Sequence, residues 1–474
     1  MSPAAEPQAA SRRRPSPRLA AARAVGLGVG ALSRRLGRGG GTAISGLVAA
    51  RIDPGLRGRV FRDGGVDVVA VSGSNGKTTT AGLLAGALRG AGRRVAHNTA
   101  GSNMIQGIST LALESVDWAG RPAVGTVVAE VDEGALLAIV DELDPRVIVV
   151  TNVVRDQLDR FGELYATAGA LEGAARRQAP GGSLVLCADD PLVAQLAPGH
   201  PRRRFVGLEL AESHDRITSA ADSIRCPSCH APLEYRAVYL GHLGDWRCPS
   251  CGLARPPLDV AVTRFVAEPG ASTIDVRLAD GRVATARIPQ LGLHIAYDAA
   301  LAIAAAAELG IEPEIAAGSM RDVRPAWGRL EPVDADGRRV IFAFAKNPMS
   351  YRTVVSVIES AAAPVDLLVA HSSSVVDGED FGWLWDVEFE RLAPWVKRTT
   401  VAGDRSAEIA NRLAYAGWPI DRVTVVPGVV GAFDAALDAT PIGATLVVIS
   451  GYSPLRAMVE HAQGRGWAQH FWEP

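Results

Sequence analysis

The stretch V-D-V-V-A-V-S-G-S-N-G-K-T-T-T at residues 66–80 decides the fold. Its first half is an apolar, β-branched run of strand length. Its second half turns through glycines into Gly-Lys-Thr and then into the Ala/Leu-rich stretch A-G-L-L-A-G-A-L-R-G at residues 81–90, which reads as a helix. A strand that turns through glycine into a helix aims successive backbone N–H groups, and the positive end of the helix, at one point. Phosphate oxygens are held that way. Gly73, Ser74, Asn75, Gly76, Lys77, Thr78 and Thr79 are therefore the candidate ATP-binding residues. Lys77 would neutralise the transferred phosphoryl group and Thr78 would present a hydroxyl to magnesium. The eight-residue phosphate-loop pattern wants glycine where this chain has Val71, so the loop is a variant. A plain glycine-rich turn would leave Lys-Thr in this context without a reason.

Outward from this stretch, β-branched runs alternate with helical stretches, as in a parallel sheet wrapped by helices. Further strands are expected at residues 125–131, 146–151 and 183–187, and a helix at 295–309. Glu130 ends a strongly apolar strand, where a carboxylate meets the phosphate loop at the sheet's carboxyl edge, and is the candidate magnesium ligand. Asp132 and Glu133 are the alternatives, read otherwise as caps of the next helix. Asn152, Arg155, Asp156 and Asp159 follow the next strand and would face the same cleft. Apolar–polar alternation in D-V-A-V-T-R-F and S-T-I-D-V-R-L predicts antiparallel strands. Strands recur at 340–345, 366–370, 399–402, 423–426 and 445–449. The chain thus reads as α/β throughout. It has a leader at 1–45, a central ATP-binding domain at 46–312 and a Rossmann-like C-terminal domain at 313–474 without a dinucleotide fingerprint.

Two C-P-S-C knuckles, Cys226 with Cys229 and Cys248 with Cys251, interrupt the alternation, and 18 residues separate them. This is the spacing of a zinc ribbon with four thiolate ligands, and residues 222–256 form the insertion. Four thiolates leave no open coordination position, so the zinc is expected to be structural. His230 and His242 lie nearby and are expected at the surface, not as ligands.

The 474 residues carry 49 Lys+Arg against 51 Asp+Glu, a balance that favours no nucleic-acid or acidic-polymer partner. The N-terminus differs: residues 1–62 hold twelve Arg, no Lys, and only Glu6 and Asp53 as acids. This basic arm reads as a solvated, partly disordered leader, or as a segment attracted to an anionic membrane surface. Its apolar run at 24–32 is too short and glycine-broken to span a bilayer. The knuckles suit a reducing compartment, and the expected location is cytoplasmic.

In chain order, G-S-N-G-K-T-T-T, H-N-T-A-G-S-N-M at 97–104, A-E-V-D-E-G at 129–134, T-N-V-V-R-D-Q-L-D-R-F-G-E at 151–163, the four-cysteine ribbon, G-R-L-E at 328–331, K-N-P at 346–348 and D-G-E-D-F-G-W-L-W-D at 377–386 resemble the Mur ligase family. The branch they resemble amidates the cell-wall precursor lipid II. The resemblance implies a Mur-ligase central domain and ATP-dependent conversion of the D-glutamate α-carboxylate to D-isoglutamine through an acyl phosphate. It implies ATP, Mg2+ and Zn2+ as cofactors, and catalytic roles for Lys77, Glu130 and Asp380. Arg329 is similar to a nucleotide-contacting arginine of the family. It further implies a GatD-type glutamine amidotransferase partner, whose Cys-His pair would borrow the acid of Asp380, and action at the inner face of the plasma membrane. The chain shows no glutaminase of its own: Cys187, the one cysteine outside the knuckles, sits at a strand end and not in a nucleophile turn. The chain departs from the family at I-A-Y-D, where Ile295 and Asp298 replace amides, and at Met349 and Ser350 after K-N-P. Two other readings stay open from the residues: a self-sufficient Mur-type carboxylate–amine ligase, and a diverged paralogue that binds ATP or a partner without catalysis.

Overall fold

A computed structural model describes residues 16–36, 41–98, 102–155, 164–218, 221–268, 270–325, 328–359, 363–374, 377–378 and 380–468. The expectations for residues 1–15 of the basic arm, for Asp156 and Asp159, and for residues 99–101 of the H-N-T-A-G-S-N-M motif lie outside them.

The central domain is built on β1 (Asp67–Ser72), β2 (Val95–His97), β3 (Thr126–Glu130), β4 (Val147–Val150), β5 (Ser183–Cys187) and β6 (Arg203–Leu208). The hairpin β7 (Glu234–Leu240) and β8 (Leu243–Arg247) stands apart as its own two-stranded sheet. β9 (Val260–Glu268), β10 (Ala271–Leu278) and β11 (Val283–Ile288) complete a nine-stranded sheet in the order β11-β10-β9-β6-β5-β4-β1-β3-β2. In this sheet β2, β3, β1, β4, β5, β6 and β9 pair in parallel, while β9, β10 and β11 are antiparallel, as the alternation in D-V-A-V-T-R-F predicts. β1 lies between β3 and β4. Parallel strands covered by helices on both faces need continuous apolar runs, and residues 68–72 are all buried.

The C-terminal domain has β12 (Arg329–Ala335), β13 (Arg338–Phe344), β14 (Val365–Ala370), β15 (Val396–Ala402), β16 (Val423–Val425) and β17 (Thr445–Ser450), in the order β12-β13-β17-β14-β15-β16. Only β12 pairs antiparallel among these described strands. β2, β6, β11 and β12 were not legible as strands: β2 is short, β11 and β12 are edge strands that carry arginines, and β6, though inside the sheet, opens on Arg203-Arg204, so their apolar signal is weak.

Helices lie close to both expected boundaries of the central domain. Residues 17–35, within the expected leader, are a helix, Pro17–Arg35, capped by Ser16 and packed on a second helix, Thr42–Ile52. Two of the glycines that break the apolar run, Gly26 and Gly30, are the contact itself. A Cβ at Gly26 would stand 2.9 Å from the Ser45 carbonyl oxygen, and one at Gly30 would overlap the Ser45 hydroxyl. At the other end, the helix Pro313–Ser319 buries Ala316 and Ala317 in the central core and lies on the helix that follows the phosphate loop. Packing against the central core thus continues to Met320. No helix among the described residues is long and apolar enough to cross a membrane.

Candidate active site

β1 ends at Ser72, and the chain turns through Gly73 (φ 116°) and Gly76 (φ 86°) into the helix Lys77–Gly90. Both glycines are in the left-handed region that side chains resist. The space they leave is taken: a Cβ on Gly73 would meet the Thr151 hydroxyl, and one on Gly76 the Asp298 carboxylate. Loop residues after β4 brace the turn. Asn152 accepts from the Asn75 N–H at 3.1 Å and donates to the Asn75 carbonyl at 3.1 Å, while Thr151 donates to the same carbonyl at 2.7 Å. Ser74 exchanges bonds with Val154, accepting from its N–H at 3.1 Å.

Lys77 is buried, and its Nζ donates to the Gly73 carbonyl, to the Ser74 carbonyl at 3.2 Å and to Glu133 Oε1 at 3.3 Å. Thr78 is half-buried in the first turn of the helix. Glu130, at the end of the neighbouring β3, is 3 % exposed. Its backbone is locked to the Asn98 amide by two 2.8 Å bonds and its Oε1 accepts from Asn103 at 3.4 Å. Its Oε2 is buried with no hydrogen-bond partner among the described residues. A buried carboxylate oxygen without a donor is costly, and oxygen donors with room for water and phosphate are what magnesium takes. The donor set thus fits that ion. Of the alternatives, Asp132 caps the next helix by accepting from the Gly134 N–H at 3.2 Å, while Glu133 pairs with Lys77. Glu133's pairing role was missed, because the cap and the lysine partner coincide in one helical turn.

A cleft opens beside the loop, lined by Asn75 and Gly76 on one side and Arg329 and Phe344 of the C-terminal domain on the other. Arg329 stacks on the Phe344 ring at 5.1 Å. Asn347 of K-N-P reaches across and exchanges two 3.3 Å side-chain bonds with Asn75. Ser350 caps the K-N-P turn, accepting from the N–H groups of Lys346 and Asn347 at 3.0 and 3.1 Å. Of the departures, Ile295 is fully buried core. Asp298 lies in the cleft wall, where burial raises its carboxyl to about 7 against the lowering pull of the Thr80 hydroxyl bond and the Arg329 charge. His294, also in the wall, is lowered to about 4 by burial and by Arg329.

Arg155 ties the segments together, bonding Asp222 at 2.5 Å and Asp386 of the C-terminal domain at 2.9 Å. Asp380 is exposed and away from the cleft lining, its Oδ1 accepting from the Gly382 N–H at 2.8 Å. Asp377 is instead held on both oxygens, by the Ser453 N–H at 2.9 Å and the Ser374 hydroxyl at 2.7 Å.

The four knuckle cysteines converge, with all Sγ atoms within 4.8 Å of one another and no disulfide. The knuckles are near copies. His230 N donates to the Cys226 carbonyl at 2.9 Å and Gly252 N to the Cys248 carbonyl at 3.1 Å, both donors being left-handed at φ 60° and 77°. N–H groups of Cys251, and then Ser250, help lower Cys248 to about 7. Four thiols so gathered fit a zinc ribbon. His230 is exposed as expected. His242 is not: it is 1 % exposed, with Nε2 3.1 Å from Asp190 Oδ2. A histidine next to a turn glycine reads as surface, and only the tertiary fold brings its carboxylate partner.

Comparison with known proteins fits this geometry. Residues 71–225 match the Mur ligase middle domain and residues 344–455 the MurT ligase C-terminal domain. The chain is 31% identical over 392 residues to the MurT subunit of lipid II isoglutaminyl synthase (glutamine-hydrolyzing) from Streptococcus pneumoniae, covering 82% of this chain and 85% of that protein. The chain belongs to the MurT family of Mur-type ligases. A second MurT subunit, from Staphylococcus aureus, is 28% identical over 81% of this chain and 85% of its own length. Among solved structures, a pseudomurein peptide ligase type C from Methanothermus fervidus superposes with a TM-score of 0.66 at 20% identity, covering 84% of this chain and 79% of that one, a likeness of fold. As a MurT-family member the chain is an ATP-dependent ligase of peptidoglycan biosynthesis.

Proposed function

We propose that this chain amidates the α-carboxylate of D-glutamate in the stem peptide of lipid II, using ammonia released by a GatD-type glutaminase subunit. The observation that carries the reading is the meeting of a complete phosphate cradle with Glu130, whose buried oxygen lacks a donor, in a chain of MurT descent. A substrate carboxylate oxygen attacks the γ-phosphorus of ATP, the bond from that phosphorus to the bridging oxygen breaks, and ADP leaves an acyl phosphate behind. The nitrogen lone pair of ammonia then attacks the acyl carbon. The bond from carbon to the phosphate oxygen breaks, phosphate departs with the electron pair, and nitrogen loses a proton to solvent to give the amide.

In this reading the backbone N–H groups of residues 73–79 hold the phosphates, and Lys77 trades its carbonyl partners for phosphate oxygens while Glu133 keeps it aligned. Thr78 and Glu130 would hold magnesium, which offsets charge on the phosphate oxygens. Arg329 meets the nucleotide from the C-terminal side. Asp380 would orient a histidine of the partner, a role supported by its exposure and by the Gly382 N–H bond that steadies Oδ1. Action at the inner membrane face is supported by the helix Pro17–Arg35. Val25, Leu32 and Leu36 stand exposed along one side of it, at spacings of seven and four, with Arg18 and Arg35 exposed on the same side. Near an anionic surface each arginine adds about 1 kcal/mol.

The test is incubation of the chain, alone and with a glutaminase partner, with lipid II, magnesium ATP and either ammonium or glutamine, followed by mass spectrometry. Exchange of one carboxyl hydroxyl for an amino group, with glutamine used only when the partner is present, is the expected result. Partner-independent joining of an amino acid would favour a self-sufficient ligase, and no product in any mixture a non-catalytic paralogue.

A further inference from the structure

We infer that the cysteine ribbon sets nucleotide affinity, because the tip of its hairpin is both a wall of the ATP cleft and a wedge between the two domains. The thiols gather at one end of the β7–β8 hairpin, and the tip at the other end is Leu240-Gly241-His242-Leu243. Leu240 and Leu243 are buried in the central core and line the same cleft as Gly76 and Arg329.

Three attachments fix the tip. Gly241 (φ 63°) sits so close to the start of the helix Pro348–Glu359 that a Cβ there would be 2.6 Å from Met349 Sδ. The Gly241 N–H donates to Asp215 at 2.9 Å, and Asp215 in turn pairs with Arg352 at 2.9 Å and Arg391 at 3.3 Å, both of the C-terminal domain. His242 meets Asp190 Oδ2, the same oxygen that accepts from the Val153 N–H at 2.8 Å. Val153 follows Asn152, the residue that braces Asn75 in the phosphate loop. Farther down the hairpin, Trp246 is 1 % exposed and donates to the Ala188 carbonyl at 3.0 Å, and the Gly244 N–H donates to the Asp189 carbonyl at 3.1 Å.

The hairpin is thus clamped along its length to the elements that shape the phosphate loop and to the seam on which Asn347 reaches Asn75. An insertion this short cannot bury a core of its own, so its order depends on its metal. Loss of the metal lets the tip relax, which removes an apolar wall of the cleft and a stop for Met349. The four cysteines are positioning residues: none of their thiols is in the cleft lining.

The inference rests on the cleft being the ATP site. Calorimetric titration with magnesium ADP tests it on three full-length proteins: the zinc-loaded parent, a zinc-free Cys248→Ser/Cys251→Ser variant, and Leu243→Ala, with zinc per chain and thermal unfolding measured on each. The expected result is about tenfold weaker ADP binding for both variants, with Leu243→Ala still holding one zinc, and a KM for ATP that rises more than kcat falls. A parent that binds ADP alongside a folded zinc-free variant that binds it equally well overturns the ribbon's role and leaves the ATP site intact. So does an unchanged affinity in Leu243→Ala. A zinc-loaded, folded parent that binds no ADP overturns the ATP-site reading itself, and the ribbon's role with it.

Discussion

The carboxyl edges of the two parallel sheets carry acids in opposite ways. At the central edge, where β1, β3 and β4 end, Lys77, Glu130 and Glu133 are all buried and held by neighbours from several segments. At the C-terminal edge, beyond β14, burial goes to apolar and aromatic groups. His371 is buried against Phe381 and Trp383, bonds the Tyr351 hydroxyl at 2.6 Å, and is lowered to about 3 by burial. Asp380 is left outside. The lesson is that a complete reaction centre needs many groups converging from one sheet edge in a water-poor place. A group lent to another protein needs only a rigid base and exposure.

The sharpest way to break this contrast is Lys77→Ala. The phosphoryl-transfer charge loses its cation and Glu133 loses its partner, so amide formation is expected to fall by about 10³-fold or more, with ammonium and glutamine alike. Mass-spectrometric rates with both nitrogen sources check it. Asp380→Asn is expected to lower glutamine-driven amidation by about 10²–10⁴-fold while ammonium-driven amidation stays within about twofold, since the acid would act on the partner's histidine. Equal loss with ammonium would remove the contrast.

The third measurement is pH dependence at the central edge. Burial raises the Asp298 carboxyl to about 7, well above the ordinary aspartate range, so its neutral form is the one the fold favours. Its contribution to stability is fully present below about pH 4 and is lost as pH rises through 7. Asp298→Asn keeps an acceptor for Thr80 and cannot ionise. Its unfolding free energy relative to the parent, read by chemical denaturation, is expected to climb between pH 4 and pH 8, by an amount on the order of a few kcal/mol at the upper end. A flat difference would refute the burial argument. The smallest effect belongs to Asp377→Ala, which leaves the Ser453 N–H and the Ser374 hydroxyl without their acceptor. Chemical denaturation is expected to show a loss of about 1–3 kcal/mol, with amidation by ammonium little changed.

The phosphate loop and the knuckles could be read from the sequence because their chemistry is local. Two left-handed glycines before Lys-Thr, and cysteines with two residues between them, impose their geometry within a single turn. The strands of the sheet centre were legible for a similar reason: burial on both faces demands uninterrupted apolar runs such as residues 68–71. What escaped is non-local. Asn347 and Asn75 are 272 positions apart and meet only because two domains close on each other. His242 and Asp190 are 52 apart, and nothing in the turn around Gly241 announces a buried carboxylate. Glu133 was legible as a helix-start residue, yet its lysine pairing was hidden because one acid can serve either end. The first helix was misread for a further reason: glycine lowers helix propensity in isolation, while here it permits a close helix–helix approach that offsets the loss.

That first helix carries three glycines at alternate positions, and they divide by which way they face. Gly26 and Gly30 touch the second helix, whereas nothing lies within 4 Å of where a Cβ on Gly28 would sit. Among descendants of this chain under selection for stability, position 28 is open to drift toward alanine, a change that favours the helix by about 1 kcal/mol. Positions 26 and 30 admit no side chain without parting the two helices. A library randomised at all three would therefore recover diversity at the middle position alone, a pattern of tolerance opposite to the one that three equal glycines in a flexible tail would leave.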